Sequence, residues 1–516
     1  MKKHITFILA ITCMVAAVTL SGCNKGDENT ASSMNQTEAA KINEKASEQF
    51  SGTVVETRLG KLVFDEKGMP TNETSELLFE ALDFQYGVLS FLWSLPYVGA
   101  QGWLELNKAN GAKGELDMVA YAGYNGSMGI LTPTTNVTYI FTFPDLSKTG
   151  PVVWDIPAGA VVGSIMDFSQ RAQGDFGIPG PDGGKGVKLL LVGPEQETPK
   201  DVKGYRVIQI PTTIGMFGLR IVEKAQVAEV SSKLRIYPYA ERANPPKSVL
   251  IQADFNKANF YMTQPKGMAY WERLHSVIQK ENVAERDRFF MEMIAKLGIE
   301  KGKPFNPSDY QRKILEQTAI VGEKIAMVNS LDHLKRSEES RYNDKTQWKY
   351  VIEPMVPRQK TEYYDALEER AAYVYEAAAT SDAMVIKKEG FGSHYLGAYR
   401  DADGEWFDGS KNYHLHVAAN PPAKRFWSLT LYDTETRSLI PNKTKVAEVG
   451  SLTEGIVKNE DGSFDLYFGP EAPEGKESNW VQTTPGKGWY TYFRFYGPLQ
   501  TIFDKTYAMS DIEKVK

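Results

Sequence analysis

The chain has 516 residues, 42% of them hydrophobic and 24% charged, with a formal net charge of -6. This suits a globular body large enough for two or three domains and excludes a disordered or polybasic chain. The mild acidity argues against a nucleic-acid partner, which would require a basic face.

The start of the chain is basic, Met1-Lys2-Lys3-His4, and an apolar run follows from Ile5 to Val18. It ends in Leu20-Ser21-Gly22-Cys23. This is the layout of a secretory signal. Small residues before a cysteine fit the narrow pocket of the lipoprotein signal peptidase, and the thiol becomes the thioether to diacylglycerol. Residues 1–22 are therefore predicted to be a lipoprotein signal peptide, with lipidation at Cys23. Several acyl chains together would hold the protein to a membrane that one chain would not. The other cysteine, Cys13, lies inside the signal, so the mature chain is expected to have neither disulfide nor thiol nucleophile. The residue after Cys23 is Asn24 rather than aspartate, which favours the outer membrane in a Gram-negative host. The expected location is the cell envelope. Residues 23–48 are polar and read as a flexible tether. No later stretch approaches the roughly 20 apolar residues of a membrane span.

A first helix is predicted from Thr74 to Trp93. Thr74 or Ser75 would cap it, Leu77, Leu78, Ala81, Phe84 and Val88 would share a stripe, and Pro96 would end it. Period-two patterning then predicts strands at 136–143, 151–156, 187–192 and 205–210. The glycine-rich run Gly174–Gly186 is not a phosphate cradle, because Lys185 precedes a glycine and no helix begins there; it reads as a long hairpin loop. Helical spacing returns over 268–380, with Gly298 as a stop, a helix after Pro304 and Pro307, and a long helix from Glu362 to Ala379. Strands resume at 413–417, 427–432, 464–468 and 490–495, with Asp403-Gly404 and Asp461-Gly462 as hairpin turns.

These elements predict a mainly β protein with an α segment: two antiparallel β-sandwich domains joined by a helical region. The expected boundaries are an N-terminal β domain over 49–265, the helical region over 266–385 and a C-terminal β domain over 386–516.

Asn136, Tyr139, Asp167 and Arg220 are candidates to line a pocket in the first β domain. Tyr399, Asp401, Trp427, Asp433 and Arg494 are the counterparts in the second. Arginine beside aspartate grips carboxylates or sugar hydroxyls, and aromatic faces stack on sugars. The competing reading is a structural Arg–Asp pair under a loop, with the aromatics in the core. His414 and His416 share one face of a strand and could hold a divalent metal, with His394, Asp401 or Glu405 as third ligand. The competing reading is two histidines on a polar sheet face. No other cofactor is indicated. Ser127 lacks the first glycine of a nucleophile elbow.

The run Tyr399-Arg400-Asp401-Ala402-Asp403-Gly404, then Phe407-Asp408-Gly409, Tyr413-His414-Leu415 and Pro421-Pro422, resembles the domain of unknown function 1214. So do Phe426-Trp427-Ser428-Leu429-Thr430-Leu431-Tyr432-Asp433, Asp461-Gly462-Ser463, Asn479-Trp480 and Arg494-Phe495-Tyr496-Gly497-Pro498. Upstream, Thr134-Thr135-Asn136-Val137-Thr138-Tyr139, Asp145-Leu146, Gly150-Pro151-Val152, Gly193-Pro194 and Arg220 resemble its partner, the domain of unknown function 1254. Asp287-Arg288, Leu297-Gly298-Ile299 and Gly302-Lys303-Pro304-Phe305 match that family's helical extension. The family's aspartate in the first run is Val137 or Thr138 here, so no role for that carboxylate carries over. The resemblance implies jelly-roll-like sandwiches and brings no settled reaction.

The function expected is binding of a small polar or carbohydrate-like ligand by an envelope lipoprotein. The alternatives are an envelope hydrolase or lyase, possibly metal-assisted, and a structural assembly protein forming a homo-oligomer through its helices.

Overall fold

The computed structural model describes residues 52–123, 129–254, 262–352, 359–378 and 380–515. The signal peptide, Cys23 and the tether lie outside the described residues. The described residues divide into two units, one ending at Phe79 and the other beginning at Glu80. In the first, strands β1 (Val54–Thr57) and β2 (Gly60–Val63) form an antiparallel hairpin.

Helix α1 spans Asn72–Ala109, longer at both ends than the sequence predicts. The Thr71 hydroxyl, not Thr74 or Ser75, accepts the Thr74 backbone N–H at 3.3 Å and caps the start. Pro96 does not end the helix but sits inside it. A proline in a helix interior costs about 3 kcal/mol. Here the helix is buried on every side from Ser90 to Trp103, and Leu95, Val98, Trp103 and Leu106 fill the surrounding core. Each buried large side chain returns about 1.5–3 kcal/mol, so packing overrides the local preference. The Pro96 carbonyl accepts from Gln170 Nε2 at 2.8 Å.

The N-terminal sandwich contains β3 (Met118–Tyr121), β4 (Thr138–Thr142), β5 (Val152–Ile156), β6 (Val161–Asp167), β7 (Ala172–Gly177), β8 (Val187–Val192), β9 (Arg206–Gln209), β10 (Gly215–Ile221), β11 (Arg235–Pro238) and β12 (Leu250–Gln252). A six-stranded sheet, β12-β3-β4-β10-β6-β7, packs on a four-stranded sheet, β11-β5-β8-β9. Trp154, Phe176, Phe217, Leu189 and Leu219 fill the space between them. The Gly174–Gly186 run is not a hairpin loop. β7 and β8 belong to opposite sheets, so this segment crosses the sandwich, pinned where the Asp182 carboxylate accepts the Gly177 N–H at 2.9 Å.

The helices follow: α2 (Met268–Lys280), α3 (Arg288–Lys296), α4 (Asp309–Leu331) and α5 (Leu367–Glu376). Gly298 stops α3 at φ +83°, a left-handed turn that favours glycine. Ser308 and Gln311 form a reciprocal capping box at the start of α4. These helices and α1 cover the outer face of the six-stranded sheet, where Val119, Tyr121, Phe141, Met166 and Met216 join their core.

The C-terminal sandwich contains β13 (Lys349–Tyr350), β14 (Ser393–Ala398), β15 (Tyr413–Val417), β16 (Ala423–Asp433), β17 (Glu448–Gly450), β18 (Phe464–Gly469), β19 (Trp480–Gln482), β20 (Trp489–Pro498) and β21 (Glu513–Lys514). Its sheets are β13-β14-β20-β16-β17 and β19-β18-β15-β21. Leu396, Leu429, Leu431, Phe493, Leu415 and Leu466 form the core between them. The protein is thus mainly β, with two antiparallel-rich sandwiches and an α segment.

Candidate functional site

Alternation along the strands aims the site. On β4 and β10, Ile140, Phe217, Leu219 and Ile221 enter the sandwich core, so Tyr139, Phe141, Met216 and Arg220 point out of it. On β14 and β20, Leu396, Phe493 and Phe495 enter the other core, leaving Tyr395, Tyr492 and Arg494 on the opposite face. The two outward faces meet in the seam between the sandwiches, closed by Tyr373 of α5 and by Ala383 and Met384. The result is a cavity with a free volume of about 150 Å³. Trp103, Ile130, Leu131, Phe141, Met166 and Met216 make up the apolar part of the lining, and Arg220, Arg494 and the tyrosines the polar part.

Arg494 is 5% exposed. Its Nη1 donates to Thr430 Oγ1 at 3.0 Å and to the Tyr432 hydroxyl, and its Nη2 donates to the Thr132 carbonyl at 2.8 Å. The guanidinium carbon lies 5.0 Å from the Tyr492 ring centroid and 5.3 Å from that of Tyr395. Arg220 Nη1 donates to Tyr395 Oη at 3.1 Å. Among the described residues, neither guanidinium has a carboxylate within the 4.0 Å of an ion pair; the groups facing them are tyrosines.

Thr132 holds φ +40°, a strained conformation for a β-branched residue. The contact from Arg494 to its carbonyl and a 2.7 Å bond from its N–H to the Arg437 carbonyl hold it there. Glu448, on β17, accepts from Thr134 Oγ1 at 2.8 Å, from Asn136 Nδ2 and from Thr430 Oγ1 at 2.7 Å. Thr430 thereby joins the Glu448 carboxylate to Arg494. The Thr134 N–H donates to Tyr139 Oη at 3.1 Å, fixing the loop above the cavity.

The structure brings together Tyr139, Arg220 and Arg494, with Asn136 linked to Arg494 through Glu448 and Thr430. It places the other candidates elsewhere. Asp167 caps its own turn, accepting from Ser169 Oγ at 2.6 Å and the Arg171 N–H at 2.9 Å. Asp401 caps the hairpin turn at Asp403-Gly404, and Asp433 accepts the Thr436 N–H at 2.8 Å. Trp427 packs in the core, 5.1 Å from Phe464. Tyr399 stacks on Tyr490 at 5.2 Å and donates to Glu376. Sequence reasoning did not single out Tyr395, Thr430, Tyr432, Glu448, Tyr492 or Tyr496. Period two counted outward from Arg494 would have reached Tyr492 and Tyr496.

His414 and His416 do share a face of β15, and each bonds Asp465 Oδ1 at 3.0 Å. Burial alone would raise the Asp465 carboxyl, but bonds from His416, Asn459 and His414 hold it at about 2. His394 lies on β14, packed between the Tyr350 and Phe503 rings at 5.3 and 5.5 Å. Burial, aided by Lys387, depresses it to about 3. Among the described residues, no group of three or more His, Cys, Asp or Glu is arranged to hold a metal ion.

Fold and site define a double-sandwich protein whose β domains share one cavity lined with arginine and tyrosine. Residues 116–238 match the family model "Protein of unknown function (DUF1254)" and residues 392–500 match "Protein of unknown function (DUF1214)". Both models match within this one chain, the first ahead of the second. No curated protein matches it. Among solved structures it is similar to the VPA0106 protein from Vibrio parahaemolyticus, with 19% identity, 84% of this chain and 100% of that one covered, and a TM-score of 0.49. An uncharacterized protein from Burkholderia cenocepacia is similar at 10% identity over 85% and 96% of the two chains, with a TM-score of 0.37.

Proposed function

We propose that the protein is a lipid-anchored envelope protein that binds a small organic carboxylate in the seam cavity. One observation carries this reading: Arg220 and Arg494 converge on one cavity with no carboxylate in direct contact among the described residues, Glu448 reaching Arg494 only through Thr430. Charges in a low-dielectric site are costly unless compensated, and a ligand carboxylate is the natural fork-shaped partner of guanidinium. The apolar lining residues suit a hydrocarbon or aromatic body, so benzoate is a fitting probe. The anchoring half of the reading is supported by the Leu20-Ser21-Gly22-Cys23 run. Among the described residues, no helix is long and apolar enough to cross a membrane.

The test is a thermal-shift titration with benzoate and with glucose. A ligand at about 100 times its Kd stabilises by about 2.7 kcal/mol, a rise of several degrees. Benzoate is expected to produce that rise and glucose is not. Equal responses, or none to benzoate, would reject the anion site. Mass spectrometry of the native protein tests the anchor: an unmodified Cys23 would reject it.

A further inference from the structure

Tyr395 differs from the other tyrosines around Arg220 and Arg494. Burial drives Tyr139, Tyr373, Tyr432, Tyr492 and Tyr496 away from ionisation. At Tyr395 burial pushes the same way, but the charges of Arg220 and Arg494 and bonds from Ser393 and Arg220 outweigh it, holding the phenol below its ordinary value of 10. Its Oη sits 2.5 Å from Ser393 Oγ and 3.1 Å from Arg220 Nη1.

The surroundings explain the difference. Arg220 faces Tyr395 from β10, and Arg494, Tyr492 and Tyr496 face it from β20. Tyr139 faces it from β4 and Tyr373 from α5. Glu376, also on α5, accepts from Ser330, Tyr399 and Tyr492. The segment Asp382–Val385 contributes Ala383 and Met384 to the cavity wall but not Asp382. Tyr395 is thus the one acidic side chain hydrogen-bonded to Arg220 among the described residues.

We propose that Tyr395 is the proton acceptor of this cavity: its phenolate form is the partner of Arg220 and Arg494, and it is protonated from solvent when an organic carboxylate takes its place between the two guanidiniums. The step balances with one proton from solvent. The ligand enters as the carboxylate with no bond broken in it, an O–H bond of hydronium or a buffer acid breaks, and its proton forms the Tyr395 O–H bond. The inference rests on reading the cavity as an anion site and adds to it a proton exchanged with each ligand bound.

The experiment is an ultraviolet titration of tyrosinate in the folded protein and in Tyr395→Phe, with circular dichroism confirming the fold. One tyrosine is expected to ionise below the others in the wild type and to be missing from the variant. Arg220→Gln, at a half-buried position facing the cavity, is expected to move that ionisation to higher pH, which a passive hydrogen bond would not do. Benzoate, added where the band is present, is expected to abolish it with uptake of about one proton per site. Identical curves for wild type and Tyr395→Phe would overturn the role of Tyr395 whatever benzoate does. Benzoate bound with the band intact would overturn the exchange while leaving the anion site standing. Benzoate failing to bind would overturn the anion site, and the exchange with it, while a low-pH band would still stand as the phenolate's signature.

Discussion

Arg220 Nη1 and Tyr395 Oη lie 3.1 Å apart, joining β10 of one sandwich to β14 of the other across 175 residues of sequence. The bond is made by two outward-facing strand positions, and this is where the sandwiches present their polar groups to each other. Consequences for binding, stability and pH response follow.

Arg220→Met and Arg494→Met each remove one guanidinium from the anion site. A charge-assisted hydrogen bond contributes about 1.5–3 kcal/mol, so each variant is expected to weaken benzoate binding at least about tenfold. Titration calorimetry checks this. Undiminished affinity in both variants would place the anion elsewhere.

Glu448 clamps the Thr134–Asn136 loop of the first β domain to Thr430 of the second. Its replacement by alanine leaves several buried donors without their acceptor and is expected to cost about 3 kcal/mol or more in urea unfolding. Paired with Asn136→Ala in a double-mutant cycle, it should show a coupling of about 1–3 kcal/mol. Additive effects would mean that the Asn136–Glu448 contact is absent in solution.

The Asp465 carboxyl ionises at about 2 instead of its ordinary 3.8. Its folded-state value is depressed, so the stability it contributes is present above 3.8 and is lost as pH falls toward 2. Asp465→Asn should flatten the acid limb of the stability profile in that window while leaving the neutral plateau shallower than wild type. An unchanged acid limb would show that His414 and His416 do not hold the carboxylate.

Ser308 accepts the Gln311 N–H at 3.2 Å, and Gln311 Oε1 accepts the Ser308 N–H at 2.9 Å. Ser308→Ala should cost about 1 kcal/mol, read as a lowered Tm, because it frees one end of the capping box at the start of a 23-residue helix. A variant as stable as the wild type would show that packing of α4 makes the cap redundant.

Much of the fold is legible in the residues themselves. Tyr413, Leu415 and Val417 are buried and His414 and His416 are not, as strict alternation requires. The turns at Gly404 and Gly462 adopt φ +82° and +90°, which glycine tolerates without strain. The end of α1 was not legible, because the cost of Pro96 is local whereas the burial that overcomes it comes from helices and strands far along the chain. The aspartates at 167, 401 and 433 show the same limit. Their carboxylates are used by backbone N–H groups of their own turns, a short-range satisfaction that residue type alone does not distinguish from ligand binding.

By itself the sequence determined the two β domains, the helical region between them and the period-two pattern of several of their strands, because period and turn chemistry are local properties of the chain. It also marked Tyr139 and Arg220 in one β domain and Arg494 in the other as pocket candidates. Only the tertiary structure decided that these three share one cavity with Tyr395. Docking two sandwiches sets residues hundreds of positions apart within hydrogen-bond reach, and no periodicity encodes the seam between them.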